Sequence, residues 1–398
     1  MSAALSPHPM STAVPKAAAP VVLIMAGGTG GHVFPALAAA RVLRERGFEP
    51  VWLGTQSGLE AKLVPPQHIA MEWVSVSGLR GKGWQAWLAA PYRLFVAIRQ
   101  SLAVMRRRAP VVVLGAGGFV AGPGGVAAWL SHKPLVIHEQ NAIAGLTNRL
   151  LSRIAQRVLE GFPNSFPGRV RAEYVGNPVR REIAALPEPA QRFAARHDTL
   201  RVLVIGGSQG AARLNAVVPA ALALLSAEER PRVLHQAGER HFAHAKELYA
   251  KHAVPGDVRA FIDDMAEAYS WADLVICRSG ALTVAELAAA GLGAIFVPFP
   301  AAVDDHQTAN AQHLSRAGAA VIIQEDALTP DRLADELRHL CSAGRAHLLS
   351  MATKARAQAI VNADARLADA CMAAAGRAAA GLASGQAGDA ATQNRGAR

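Results

Sequence analysis

The chain has 398 residues, of which 51% are hydrophobic and 18% charged, and its formal net charge is +11. This composition excludes a largely disordered chain, and the length suits two domains of about 150 residues or more each. No apolar run reaches the ~18 residues that a transmembrane helix needs, and three cysteines without metal-ligand spacing favour a reducing compartment over a disulfide framework.

The excess of positive charge lies in the first half of the chain. Residues 1–178 contain 18 Lys or Arg and 7 Asp or Glu, whereas residues 179–398 contain 23 of each. No acidic residue occurs between Glu72 and Glu139, although that window holds eight basic residues. Such a charge distribution attracts nucleic acid, anionic lipid or a phosphorylated substrate.

Residues 1–19 are predicted to be a disordered leader, because prolines interrupt them and they lack the apolar region of a signal peptide. The next stretch predicts a buried strand at 21–25, a turn with four glycines at 26–31 and a helix over 33–43. Backbone N–H groups at such a junction can bind an anion. His32 lies at the mouth of this turn, and a ligand-free strand–helix connection is the alternative.

The glycine pattern of this turn does not fit a dinucleotide site. Gly28 and Gly30 match the fingerprint, but Val33 stands where its third glycine belongs. The next predicted strand, 50–53, is followed by Gly-Thr-Gln and therefore lacks the acidic residue that holds a ribose. We therefore expect a phosphate-binding turn and no NAD.

Short apolar strands alternate with helical stretches along both halves of the chain, which predicts two parallel sheets covered by helices. We expect an N-terminal domain at 20–178, a C-terminal domain at 179–376 that restarts with strand, glycine turn and helix at 201–215, and a disordered tail at 377–398. Ligands of such sheets bind at the carboxyl ends of the strands, so the two domains would enclose one cleft. The predicted strands are 21–25, 50–53, 70–76, 111–114, 134–138, 156–159, one that opens 201–215, 232–234, 257–261, 273–276, 294–297 and 320–323.

The segment CRSGALTVAELAAAG at 277–291 is the most informative part of the second half. Ser279 is the predicted N-cap of a helix whose first N–H groups, at Ala281 and Leu282, could meet a diphosphate. Thr283 and Glu286 share one helical face, and Glu286 could accept both hydroxyls of a ribose. A capped amphipathic helix with Glu286 as a solvated charge is the alternative.

Two further clusters of polar residues follow predicted strands. His138, Glu139, Gln140 and Asn141 could supply an acid or a base. His306, Gln307 and Asn310 offer neutral hydrogen-bonding groups suited to a sugar. No Asp-x-Asp occurs, so we expect neither a metal at a diphosphate nor another cofactor, and helix N-termini would carry the leaving-group charge.

The stretch at 77–110 interleaves aromatic and basic residues, which suits a membrane interface. The alternative is a helix whose apolar residues pack on the sheet and whose arginines are solvated. RNA would also attract such residues, but no nucleic-acid motif accompanies them, so we expect no nucleic-acid partner. The candidate membrane-facing residues are Leu79, Arg80, Lys82, Trp84, Trp87 and Arg93.

Seven motifs occur in fixed order: AGGTGGHVFPALA, GAGGFVAGPGG, HEQNAIAGLTNR, YVGNPVR, GGSQGAARLN, FIDDMAEAYSWADLVICRSGALTVAE and DHQTANA. In this order they resemble the MurG family of N-acetylglucosaminyltransferases, over roughly residues 20 to 370. The resemblance implies a GT-B fold, in which two Rossmann-like domains face a central cleft. It also implies inversion at the anomeric carbon and work as a peripheral protein at the cytoplasmic face of the bacterial inner membrane.

The resemblance implies a UDP-N-acetylglucosamine site at the positions that match the family's motifs. Ala285 stands where the family often has serine, and the loop before Gln307 departs from the family pattern. The implied donor-binding residues are Thr29, Gly30, Gly31, Asn141, Arg180, Ser208, Ile262, Ala281, Leu282, Thr283, Val284, Ala285, Glu286 and Gln307.

The implied reaction transfers N-acetylglucosamine to the 4-hydroxyl of undecaprenyl-pyrophosphoryl-N-acetylmuramoyl-pentapeptide. His32 is the first candidate for the general base, because an ordinary histidine pKa of ~6.5 suits that role. Glu139 is the second and could instead orient the acceptor. Two other functions stay open from sequence: a UDP-N-acetylglucosamine 2-epimerase of the same fold, and a basic module that binds membranes or RNA without catalysis.

Overall fold

The computed structural model describes residues 19–76, 88–207, 210–300 and 305–376. The predicted tail and all but the last residue of the predicted leader lie outside these ranges. Within them, the chain forms two parallel β-sheets flanked by helices, which confirms the predicted α/β class.

The first sheet has seven strands in the order β3-β2-β1-β4-β5-β6-β7. The first six match predicted strands within a few residues, whereas β7 was not predicted. It has three residues, all at least partly exposed, so it offers no apolar run to recognise. The strands are β1 Val21–Met25, β2 Glu49–Gly54, β3 Ala70–Trp73, β4 Val112–Gly115, β5 Leu135–Glu139, β6 Arg157–Glu160 and β7 Ala172–Tyr174.

The second sheet has six strands in the order β10-β9-β8-β11-β12-β13, and all six were predicted. In both sheets the order reverses beside the first strand, between β1 and β4 and between β8 and β11. Open α/β sheets bind ligands at this switch point. The strands are β8 Arg201–Ile205, β9 Arg232–Gln236, β10 Asp257–Arg259, β11 Leu274–Cys277, β12 Gly293–Phe296 and β13 Ala320–Ile322.

The helices connect the strands and cover both faces of each sheet. Their bounds are α1 Gly30–Glu45, α2 Glu60–Leu63, α3 Ala90–Arg108, α4 Ala121–Leu130, α5 Leu146–Leu151, α6 Arg181–Ala184, α7 Pro189–Ala194, α8 Ala212–Ala223, α9 Phe242–Lys251, α10 Met265–Trp271, α11 Ala281–Ala290, α12 His306–Arg316, α13 Pro330–Ser342 and α14 Gly344–Ala357. Residues 363–376 are also helical.

Strand β1 shows why the central strands are apolar along their whole length. Val22 and Ile24 lie in the buried cluster that contains residues of α1, whereas Leu23 and Met25 lie in the cluster on the opposite face of the sheet. Because helices cover both faces, the usual alternation of apolar and polar residues is lost.

The helix at 363–376 packs on the first domain, although it follows the second domain in sequence. Its residues Leu367 and Cys371 are fully buried in the same cluster as Val22 and Ile24 of the first sheet. Chain order predicts this segment in the C-terminal domain, but chain order cannot reveal which sheet an apolar helical face contacts.

The chain therefore crosses between the domains twice, near residue 177 and again near residue 360. Gly176 has a φ of +83°, and a Cβ on it would lie 2.7 Å from the Cβ of Ile360. The two crossings therefore lie against each other.

The glycine turns after β1 and β4 meet at the switch point of the first sheet. Ala116 N donates to the carbonyl of Met25 over 2.9 Å. Gly118 has a φ of +81°, and a Cβ on it would lie 2.2 Å from the carbonyl oxygen of Gly27. Both its backbone conformation and its close contact therefore require glycine.

We expect Gly118→Ala to lower the free energy of unfolding by about 2–5 kcal/mol, because left-handed strain of about 1–2 kcal/mol adds to an overpacking cost of about 1–3 kcal/mol. The matched control is Gly47→Ala. Gly47 has a φ of +87° but nothing within 4 Å of the added Cβ, so it isolates the strain. Urea denaturation of both variants measures the difference, and equal losses would contradict the close contact.

Candidate functional site

The first glycine turn is held by a buried carboxylate. Thr29 is the N-cap of α1, and its carbonyl accepts the N–H groups of His32 and Val33 over 3.1 and 3.3 Å. Glu60 has no exposed surface and accepts Gly28 N over 3.1 Å and Thr55 N over 2.9 Å. Sequence reasoning missed Glu60, because one carboxylate in a short polar stretch resembles a solvated charge.

His32 contacts the segment that follows β5. Its Nδ1 lies 2.9 Å from Oε1 of Gln140, and Gln140 Nε2 donates to the carbonyl of Ala116 over 3.0 Å. His138 is the next residue of this network. It is fully buried, and burial lowers its pKa to about 4. His138 is therefore neutral at neutral pH.

Glu139 lies in the same segment, but its carboxylate is hydrogen-bonded to N–H groups of the protein. One carboxylate oxygen accepts the backbone and side-chain N–H groups of Asn141 over 3.0 and 3.2 Å. The other accepts Gly145 N over 3.1 Å and Asn148 Nδ2 over 2.9 Å. A carboxylate with four donors and 3% exposure holds a loop in place. This geometry favours His32 over Glu139 as the base.

Asn310 of α12 joins the two domains beside this segment. Its Oδ1 accepts Ala142 N over 2.7 Å, and its Nδ2 lies 3.3 Å from Asn141 Oδ1 and 3.1 Å from the carbonyl of Ser279. The side chain is fully buried. It thus brings the loop after β5 against the start of α11, so two segments that the resemblance implies for the donor site meet.

The N-terminus of α11 differs in one respect from the prediction. Gly280, and not Ser279, is the N-cap, and no side chain caps the helix. Ser279 is fully buried, and its Oγ has no hydrogen-bond partner within the described ranges. The first intrahelical bond runs from Val284 N to Gly280 O over 3.0 Å, so the N–H groups of Ala281 and Leu282 precede it.

Glu286 lies one turn further along α11 and is paired. Its Oε1 lies 2.9 Å from Nη2 of Arg180, and its Oε2 accepts the hydroxyl of Tyr269 over 3.1 Å. Burial raises the pKa of Glu286, whereas Arg180 lowers it. Tyr269 gave no signal in the sequence, because its pairing depends on the packing of α10 against α11.

The remaining predicted donor residues of α11 divide by burial. Val284 is fully buried in the core, whereas Ala285 packs against that core and is partly exposed. Leu282 and Thr283 are partly exposed.

The other predicted donor residues lie on neighbouring loops. Gln236 at the end of β9 accepts Ile262 N over 3.0 Å and donates to Gly207 O over 3.3 Å, which joins two of these loops. Ser208 lies outside the described residues. Gln307 is the second residue of α12, and its Oε1 accepts Phe299 N over 2.9 Å.

Comparison with known proteins identifies the family. The glycosyltransferase family 28 N-terminal domain matches residues 22–160, and the C-terminal domain of the same family matches residues 201–367. A UDP-N-acetylglucosamine--N-acetylmuramyl-(pentapeptide) pyrophosphoryl-undecaprenol N-acetylglucosamine transferase from Nitrosococcus oceani is 55% identical over 88% of this chain and 98% of its own length. The protein of that name from Alkalilimnicola ehrlichii is 57% identical over the same shares of both chains.

The chain belongs to the MurG family. The crystal structure of Acinetobacter baumannii MurG is 42% identical, has a TM-score of 0.79, and is matched over 89% of this chain and 99% of that one. These matches confirm the predicted family and the GT-B fold. They also favour an N-acetylglucosaminyltransferase over an epimerase or a non-enzymatic basic module.

Most of the predicted membrane-facing residues of this MurG family member lie outside the described residues: Leu79, Arg80, Lys82, Trp84 and Trp87. Arg93 is described and is exposed on α3. Helix α3 packs on α4, and α4 on α5. All three helices expose large apolar side chains, namely Tyr92, Leu94, Phe95, Trp129, Leu130, Leu146 and Leu150. Those on α3 are therefore not core residues.

Proposed function

We propose that this protein transfers N-acetylglucosamine from UDP-N-acetylglucosamine to the 4-hydroxyl of undecaprenyl-pyrophosphoryl-N-acetylmuramoyl-pentapeptide, the step that forms the disaccharide of the peptidoglycan precursor. The observation that carries this proposal is the contact of Asn310 with both domains. It places the loop beside His32 against the N-terminus of α11. The names of the relatives support the same donor and acceptor.

The donor binds mainly to the second domain in this proposal. The free N–H groups at the start of α11 meet the diphosphate, where the helix dipole favours negative charge. Ser279 Oγ, which has no partner among the described residues, lies at the same helix end. Glu286 accepts the ribose hydroxyls, Arg180 and the loops held by Gln236 enclose the nucleotide, and Gln307 contacts the sugar. Asn141, Thr29, Gly30 and Gly31 approach from the first domain.

The reaction in this proposal is a single displacement with inversion. His32 removes the proton of the acceptor hydroxyl, whose oxygen attacks the anomeric carbon from the face opposite the diphosphate. The bond from the anomeric carbon to the diphosphate breaks, and UDP leaves with the electron pair. Helix N-termini, and no metal ion, stabilise the charge on the leaving group. Glu139 orients the loop beside the acceptor.

The acceptor's polyprenyl tail requires the protein to approach a membrane, which we propose is the cytoplasmic face of the bacterial inner membrane. Helices α3, α4 and α5 expose apolar residues, and α3 also exposes Arg93 and Arg99. The guanidinium of Arg99 lies 5.9 Å from the ring centre of Phe95. Anionic lipid attracts such basic residues, and apolar side chains add a contribution to membrane binding that salt does not weaken. In the part of the chain that the structure describes, no helix is suited to crossing a bilayer.

Glu286→Ala should raise the KM for UDP-N-acetylglucosamine at least ~10-fold, because hydrogen bonds to a charged acceptor are worth ~1.5–3 kcal/mol each. Tyr269→Phe is the matched control, since it removes one partner of Glu286 and keeps the carboxylate. Its KM should stay within about threefold of the parent. Steady-state kinetics with a soluble acceptor analogue measures both, and an unchanged KM in Glu286→Ala would refute the ribose contact.

His32→Ala should lower kcat by ~10²–10⁴-fold, the usual size of a general-base effect, while donor binding survives. The assay follows UDP release with and without the lipid-linked acceptor, and release without acceptor would argue against a transferase. Glu139→Gln is the comparison variant, because it keeps the side-chain shape. If kcat falls in Glu139→Gln and not in His32→Ala, the base is Glu139.

We expect binding to anionic vesicles that weakens with salt but does not vanish, since each basic residue near the surface adds about 1 kcal/mol that salt screens. Replacing Arg80, Lys82 and Arg93 together by Gln should weaken co-sedimentation and leave UDP affinity unchanged.

The matched control for this membrane experiment replaces Arg240, Lys246 and Lys251 of the second domain by Gln, which removes the same charge from exposed positions elsewhere. This variant should bind vesicles like the parent. Equal binding of the parent to neutral and anionic vesicles at low salt, or equal losses in both triple variants, would exclude the proposed surface.

A further inference from the structure

Two buried polar side chains connect His32 to the first crossing between the domains. Gln140 is 1% exposed and His138 has no exposed surface. Gln140 Oε1 lies 2.9 Å from His32 Nδ1, and Gln140 Nε2 lies 3.0 Å from His138 Nδ1. His138 Nε2 in turn lies 3.0 Å from the carbonyl oxygen of Gly176. The three side chains therefore form one chain of hydrogen bonds that ends on backbone.

Two backbone carbonyls fix the direction of these bonds, because a carbonyl oxygen can only accept. Gly176 O requires a proton on His138 Nε2. Since burial lowers the pKa of His138 to about 4, the ring has no second proton, and its Nδ1 accepts from Gln140 Nε2. Gln140 Nε2 also lies 3.0 Å from Ala116 O. Rotating the amide by 180° would place two oxygens face to face there, so the amide has one orientation.

The amide oxygen of Gln140 determines which ring nitrogen of His32 carries a proton. Gln140 Oε1 can only accept, so His32 Nδ1 must carry a proton. Neutral His32 therefore has its lone pair on Nε2, and within the described residues no protein group bonds to that atom.

We propose that Gln140 and His138 are positioning residues that hold His32 in the tautomer protonated on Nδ1, so that Nε2 is free to receive the proton of the acceptor hydroxyl. The catalytic part of this inference rests on the proposed function. When the hydroxyl O–H bond breaks, its proton moves to Nε2, and its oxygen bonds to the anomeric carbon as UDP departs. Gln140 Oε1 keeps accepting from Nδ1, and no proton moves along the chain.

This arrangement resembles the orienting role of the carboxylate in a serine-protease triad, but with a neutral amide. An amide fixes the tautomer without pairing with a full charge. The effect on catalysis should therefore be smaller than the ~10⁴-fold loss that the wrong tautomer causes in that triad.

Nitrogen NMR of the full chain labelled with ¹⁵N-histidine tests the tautomer directly, without any assay of activity. The His32 signals are assigned by their loss in His32→Ala. At neutral pH we expect the parent to show a protonated Nδ1 and an unprotonated Nε2. Gln140→Leu should shift the ring towards a mixture of the two tautomers. A parent protonated on Nε2, or an unchanged Nδ1–H form in Gln140→Leu, would overturn the inference.

Kinetics separates positioning from general packing. Gln140→Leu should lower kcat about 10- to 100-fold, which is less than the ~10⁴-fold loss in the serine-protease triad. Its KM for UDP-N-acetylglucosamine should stay within about twofold of the parent value. His138→Phe removes the acceptor for Gln140 and should also lower kcat. His138→Asn restores an oxygen close to the former Nδ1 position and should recover most of the loss.

The control is His235→Phe in the second domain. His235 is equally buried, its pKa is also lowered to about 4, and it bonds Asn215 and Tyr249 over 3.0 Å each. In thermal denaturation, His235→Phe should lose as much stability as His138→Phe, but its kcat should equal that of the parent. Equal kcat losses in His138→Phe and His235→Phe, or no rescue by Asn, would refute positioning. If His32→Ala itself keeps kcat, the proposed base fails while the NMR result still decides the tautomer.

Discussion

The candidate site depends on the side chain of Asn310, which is bonded to both domains at once. Each domain has a parallel sheet with a switch point and glycine turns. His32 belongs to the first domain, whereas the N-terminus of α11 belongs to the second. The three hydrogen bonds of Asn310 join the loop after β5 to the start of α11 and bury the amide completely. Because a buried amide without partners is costly, this contact specifies how the two edges meet.

Buried carboxylates and amides position the backbone around the site. Glu60 holds the turn before His32, and Glu139 holds the loop that carries Asn141. Glu60 and Glu139 accept backbone N–H groups that a tight glycine turn or a strand end leaves unpaired. Charged residues at these positions thus serve mainly to fix geometry. His32 differs from them, because it is half-buried and its Nε2 bonds to none of the described residues.

The sequence predicted those features that depend on local pattern. Continuous apolar runs identified twelve of the thirteen strands in the described part of the chain, because helices cover both faces of each sheet. Glycine turns marked the switch points, since a φ near that of Gly118 requires glycine. Strand β7 was missed because an edge strand of three residues has no apolar run. The predicted cap at Ser279 was wrong because Gly280 takes the N-cap position. Glu60, Gln140 and Tyr269 each bond to a partner that is distant in sequence, so no local pattern could reveal these contacts.

The return of the final helix to the first domain has a mechanical consequence. A protein with one linker between domains can twist and bend in many directions, whereas this chain passes between its domains twice, at Gly176 and at Ile360, side by side. These two adjacent chain segments together form one hinge between the domains. Opening the cleft then means bending about that hinge, and twisting of one domain over the other is resisted. The carbonyl of Gly176 also accepts from His138 Nε2, so the hinge is connected through His138 and Gln140 to His32, the ring that would take the acceptor's proton.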